Sequence, residues 1–168
     1  MLPMAIDKKN VLVLQSLVER CDIHALRLET ACTQMTPYLP LKAEQISTLT
    51  VEQLNMMEML LSRFGKLQDT LGAKLFPLLL QLSEEGEYDL SFLDKLHHLE
   101  KLRLLSSAKW WLKLRDLRNH LSHEYPDQPQ LMADNVNQAV AASRELLEYW
   151  HNLREKVVYI KTQWLQEL

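Results

Sequence analysis

Arg115-Asp116-Leu117-Arg118-Asn119-His120-Leu121-Ser122-His123-Glu124-Tyr125-Pro126 is the stretch on which the reading of this chain turns. Twelve positions hold two arginines, two histidines, an asparagine and a tyrosine, a polar density found nowhere else in the chain. Leu117 and Leu121 continue a helical pattern from Trp110 and Leu114, and Pro126 stops it. The stretch is therefore the polar end of a helix, predicted over about Ala108 to Ser122 and capped by Ser106 or Ser107. On a wheel of about 100° per residue, Trp110, Leu114, Leu117 and Leu121 face the core, Asp116, Asn119 and His123 share a second face, and Arg115, Arg118 and Ser122 a third.

Working outward, the rest of the chain is also helical. Leu14, Val18, Cys21, Ala25, Leu28, Cys32 and Met35 form one apolar seam, which predicts a helix from about Asp7 to Met35. Thr36-Pro37 ends it. Thr50 and Gln53 read as a capping box. They open a long helix with Leu54, Met57, Leu61, Phe64, Leu67 and Leu71 inward, Gly65 and Gly72 permitting close helix approach, and Pro77 forcing a kink or restart. Its apolar pattern runs to about Leu82, and Glu84 to Glu87 read as a solvated turn. Ser91 with Asp94 starts a shorter helix ending near Leu104. Asp127 caps a last helix, with Pro129 in its first turn and Val136, Val140, Leu147, Trp150, Val157, Ile160 and Trp164 on one stripe. The expected fold is all-α, an up-and-down bundle of about five helices in one domain over residues 1–168.

Composition narrows the function. The net charge is −3 over 168 residues, which does not suggest a nucleic-acid coat or a membrane-surface protein. The distribution is uneven: Lys101, Arg103, Lys109, Lys113, Arg115 and Arg118 face only Asp116 in one segment, which suits a polyanionic partner. Cys21 and Cys32, about 16 Å apart on one helix, are too far apart for a disulfide and read as buried core residues. His24 borders the same seam and reads as packed rather than as a ligand. Met56, Met57 and Met59 read as packing residues. No signal peptide is read at the start and no run of apolar residues spans a bilayer, so a cytoplasmic protein is expected.

The residue types of the opening stretch suit metal-free cleavage of an RNA phosphodiester. The 2′-OH is the nucleophile. A histidine moves protons near neutral pH, and an arginine fork stabilises the phosphorane charge. Asn119 can orient the His123 ring. His123 and Arg118 lie about 140° apart on an ideal helix, so one copy does not aim both at one atom. A second copy of the helix resolves this and favours a two-fold dimer. Other readings stand beside this one. Arginine, asparagine and histidine at a helix end also serve as capping and surface residues. His120, His123 and Glu124 are a weak zinc pattern, short of further ligands. No glycine-flanked serine, P-loop or dinucleotide fingerprint is present.

Arg118, four residues, His123, Glu124 and Tyr125 reproduce an R-x4-H-x-Y signature. With Asn119 after the arginine and a penultimate helix around it, the chain resembles the HEPN superfamily (higher eukaryotes and prokaryotes nucleotide-binding), and within it the HepT-like toxins. Arg63 to Pro77 is also similar to the second helix of such proteins. The resemblance implies a metal-independent endoribonuclease toxin without cofactor. Its active site would be shared across a homodimer, with Arg118 and His123 catalytic and Asn119 supporting. It also implies an antitoxin of the minimal nucleotidyltransferase type, which in several systems attaches AMP to the motif tyrosine, here Tyr125. Lys109, Lys113 and Arg115 are the expected RNA contacts. Some relatives are described as non-catalytic partners of nucleotidyltransferases, so that alternative stays open.

Overall fold

A computed structural model describes residues 8–83, 89–123 and 127–167. Among them every regular element is helical: α1 Lys8–Met35, a 3-10 turn Thr36–Tyr38, α2 Ala43–Ile46, α3 Val51–Thr70, a π turn Leu71–Leu75, α4 Phe76–Leu82, α5 Phe92–Lys101, α6 Ala108–Leu121 and α7 Pro129–Glu167. The all-α expectation holds. The Glu84–Glu87 turn and Glu124, Tyr125 and Pro126 lie outside the described residues.

The long elements follow from local signals. The α1 seam is buried along its whole length, Leu14 to Met35. Cys21 and Cys32 are free and buried within it, and burial pushes the Cys21 thiol up to about 12. Thr50 and Gln53 close the expected capping box on α3: the Thr50 hydroxyl accepts from the Gln53 N–H and the Gln53 side chain accepts from the Thr50 N–H. Leu60 and Phe64 are fully buried, while Leu54 and Leu61 are half-buried.

The break at Pro77 takes a specific form. Pro77 has no N–H to donate, so the helix loses a bond one turn earlier. The chain absorbs this by widening to a π turn over Leu71–Leu75, in which the Phe76 N–H donates to the Leu71 carbonyl. α3, the π turn and α4 therefore run as one rod.

Two boundaries differ from expectation. α5 ends at Lys101, not near Leu104, and Arg103 follows with a φ of 57°. That left-handed turn is held from α7, where Lys156 donates to the Arg103 carbonyl and Tyr149 to the Leu104 carbonyl. α7 starts at Pro129 with the Gln128 carbonyl accepting from Met132, so Asp127 sits one residue too early to be its cap. The 3-10 turn and α2 fill the loop after Met35. Both are too short to show a period in sequence, and Asn137 of α7 fastens that loop by two hydrogen bonds to the Leu41 backbone.

α1 packs on α3 and α7, and α3 also packs on α7. Asp22 of α1 accepts from the Trp150 indole at 3.1 Å and from Arg154 at 2.8 Å, tying α1 to α7. α6 lies across α3, α5 and α7. Among the described residues no helix is long and apolar enough to cross a membrane.

Candidate functional site

α6 positions the polar stretch, and Ser107 begins it by accepting from the Trp110 N–H. Its inward face is not the expected one. Trp111, not Trp110, is the fully buried tryptophan, beside Ala108 and Leu114, while Trp110, Leu117 and Leu121 are half-buried. α6 touches helices on more than one side, so its buried arc is wider and rotated relative to a single leucine stripe. Trp110 donates its indole N–H to Glu145 of α7 at 2.8 Å.

Two glycines of the α3 rod receive α6. A Cβ on Gly72 would lie 3.1 Å from Trp111 Cζ2, and one on Gly65 would lie 3.6 Å from Arg118 Cγ. The aliphatic part of Arg118 thus rests on Gly65 and its fork projects beyond. One nitrogen donates to Asp69 Oδ1 at 3.1 Å and the other to Asn119 Oδ1 at 3.0 Å. The pair is partly open to solvent, with side-chain exposures of 30% for Arg118 and 54% for Asp69. Such a pair adds little stability, about 1 kcal/mol or less. Its effect is to hold the guanidinium in one orientation.

That guanidinium stands between two clefts. The first, about 590 Å³, lies between α3 and α6 and is lined by Ser62, Gly65, Lys66, Asp69, Arg118, Asn119 and Ser122 with neighbouring apolar groups. The second, about 300 Å³, lies between α5, the π turn and α6, and shares Asp69 and Arg118 with the first. Both combine cations with hydrogen-bonding groups, a suitable lining for a phosphate-bearing ligand.

The expected site residues divide. Arg118 and Asn119 are joined by a hydrogen bond and line the first cleft. Arg115 lines the second. His123 is exposed, just past the end of α6, where its N–H donates to the His120 carbonyl at 3.3 Å. The α-helix has closed at Leu121, so the ideal wheel does not extend to His123. It does not line either cleft. Lys109 and Lys113 are exposed and line neither cleft; nine residues before Arg118, Lys109 is about 180° around the helix from it. Tyr125 lies outside the described residues.

Three charged residues at the site were missed in sequence: Lys66, Asp69 and Lys95. Asp69 is 49 positions from its partner. The available signal was Gly65, four residues before Asp69, which marks a close approach of another helix. On the α1 side, Arg63 donates to His24 Nδ1 at 3.0 Å. His24 is buried, as a packed residue should be. Burial, followed by the charges of Arg63, Lys66, Arg20 and Arg27, holds its pKa below the ordinary histidine value. Among the described residues no group of three or more His, Cys, Asp or Glu side chains is placed to hold a metal ion.

No protein-family model matches the chain, and no curated protein or solved structure matches it either.

Proposed function

We propose that the protein is a metal-independent endoribonuclease of the HepT-like, HEPN type, acting as a homodimer. One observation carries the reading: the Arg118 guanidinium is held by Asp69 and Asn119 at the wall between two cation-bearing clefts. An RNA phosphate seated there meets a planar donor fork already oriented. His123 takes the 2′-OH proton, the 2′-oxygen attacks phosphorus, the bond to the 5′-oxygen breaks, and that oxygen takes up a proton. The products are a 2′,3′-cyclic phosphate and a 5′-OH. The exposed position of His123, outside both clefts of its own protomer, favours a site completed by a second copy. Asp69 acts through Arg118 as a positioning residue. Regulation by a nucleotidyltransferase antitoxin, with AMP attached to Tyr125, belongs to the same reading.

The test is RNA cleavage by the purified protein in EDTA. Cutting should persist in EDTA and fall at least about 100-fold in Arg118→Ala and His123→Ala. Mixing the two variants should restore part of the activity if each dimer joins one intact arginine to one intact histidine. Cutting that needs added metal, or full activity in both variants, would reject the mechanism.

The alternative is a non-catalytic helical partner of a nucleotidyltransferase. The Asp69–Arg118 pair favours it in one respect, since the carboxylate already offsets the charge that a phosphate would meet. Expression in growing cells separates the two. A nuclease arrests growth and its Arg118→Ala variant does not, whereas an adaptor is harmless in both forms.

A further inference from the structure

The second cleft holds cations that the cleavage step does not use. Lys95 of α5 and Arg115 of α6 line it, with the Arg118–Asp69 pair at one wall and Gly72 and Ala73 of the π turn at another. Ala73 is exposed and adds only a methyl group to that wall, while Gly72 beside it is covered by Trp111. The Arg115 guanidinium carbon lies 4.7 Å from the centroid of the Phe92 ring. Asp69 is engaged by Arg118, and among the described residues neither Lys95 nor Arg115 has a carboxylate partner. The cleft thus sets three cations against one carboxylate.

Two features point to a nucleotide. A guanidinium held over an aromatic ring is a flat charged platform on which a nucleobase stacks, and single-stranded RNA is gripped in this way. A lysine beside it supplies a point charge for phosphate. An acidic peptide would use the charges but gain nothing from the platform. Arg115 lies three residues before Arg118, about 60° around α6, so a strand lying across Arg118 reaches Arg115 with its next unit.

We propose that this cleft binds the nucleotide adjacent to the cleaved phosphodiester, its base stacked on the Arg115–Phe92 platform and its phosphate held by Lys95. The adjacency to a cleaved phosphodiester rests on the nuclease reading of Arg118; the binding itself does not.

Fluorescence anisotropy with a labelled, single-stranded 2′-O-methyl oligonucleotide measures binding without cutting, and inorganic polyphosphate serves as a competitor with charge but no base. Lys95→Gln should weaken both ligands and lower the salt slope of oligonucleotide binding by about one. Arg115→Lys, which keeps the charge, and Phe92→Leu should weaken the oligonucleotide at least about fivefold and leave polyphosphate unchanged. Lys42→Gln, at an exposed lysine outside both clefts and outside the basic segment, should change neither. Wild-type oligonucleotide binding in Lys95→Gln and Arg115→Lys would overturn the proposal. So would an Arg115→Lys loss as large for polyphosphate, or a Lys42→Gln loss equal to that of Lys95→Gln. Variant-sensitive binding by a protein that cuts no RNA would remove the nuclease and leave the nucleotide site. Cutting that needs Arg118, with binding unaltered in the cleft variants, would remove the nucleotide site and leave the nuclease.

Discussion

α6 meets the α3 rod at two points that differ in almost every physical respect. At Gly72 it presses the Trp111 indole onto the backbone; at Gly65 it lays Arg118 across it. Gly65 and Gly72 are seven residues apart, as are Trp111 and Arg118, and the order is reversed between the helices. Seven residues is about two turns, so the two points fall on one face of each helix. Yet the first contact is dry. Trp111 is fully buried, its ring 4.6 Å from that of Phe76 and 6.0 Å from that of Tyr149, and among the described residues its indole N–H has no hydrogen-bond partner. The second is wet, open to two clefts and built from donors and acceptors. The same interface thus packs at one end and presents chemistry at the other. The dry end fixes the height and rotation of α6, and the wet end inherits that position.

The largest expected contrast is between the two α6 side chains. Trp111→Ala should cost about 3–5 kcal/mol of stability in urea unfolding, through the cavity it leaves. Arg118→Ala should cost about 1 kcal/mol or less. Similar costs at the two positions would break the division into a structural end and a chemical end.

The glycines provide the next contrast. An alanine at Gly72 meets Trp111 at 3.1 Å in a packed aromatic cluster, where nothing yields easily, so about 1–3 kcal/mol should be lost. An alanine at Gly65 meets Arg118 at an ordinary 3.6 Å and should gain about 0.5–1 kcal/mol as a better helix former. Thermal unfolding of both variants measures the signs. Destabilisation by Gly65→Ala would mean that Arg118 sits closer to the rod than a 3.6 Å contact allows.

The smallest effect lies away from both points and serves as their control. His24 is held against protonation by burial and by nearby cations. Between its lowered folded pKa and the ordinary 6.5, the unfolded chain binds more protons than the folded one, so stability rises with pH through that window and declines as pH falls below 6.5. His24→Asn, which keeps an acceptor for Arg63, should flatten that decline in unfolding measured across the window. The difference between the Gly65 and Gly72 variants should not change over the same range.

Individual residues show why some of this could be read in advance. Thr50 and Gln53, and Ser91 and the Asp94 N–H, are partners within one helical turn, so residue spacing alone identified those helix starts, and it narrowed the start of α6 to Ser106 or Ser107, of which Ser107 is the cap. The choice of Trp110 over Trp111 failed because neighbouring positions differ by only about 100°, and which of them is buried depends on what packs against the helix. Lys109 and Lys113 share a basic segment with Arg115 but do not line the clefts beside Arg118, because proximity along a helix does not mean a shared face. Lys66, Asp69 and Lys95 carried no local mark of their own.

By itself the sequence determined the long helices, the caps of α3 and α5, the apolar seams of α1 and α7, the break at Pro77 and the concentration of polar residues at the end of α6. All of these depend on interactions reaching one or two turns along the chain. Only the tertiary structure decided that the break takes the form of a π turn, that Trp111 settles on Gly72, that Asp69 meets Arg118 across 49 positions, and that Lys95 and Arg115 face one cleft. The relative height and rotation of two helices are set by side chains from distant parts of the chain packing together, and no single segment encodes them.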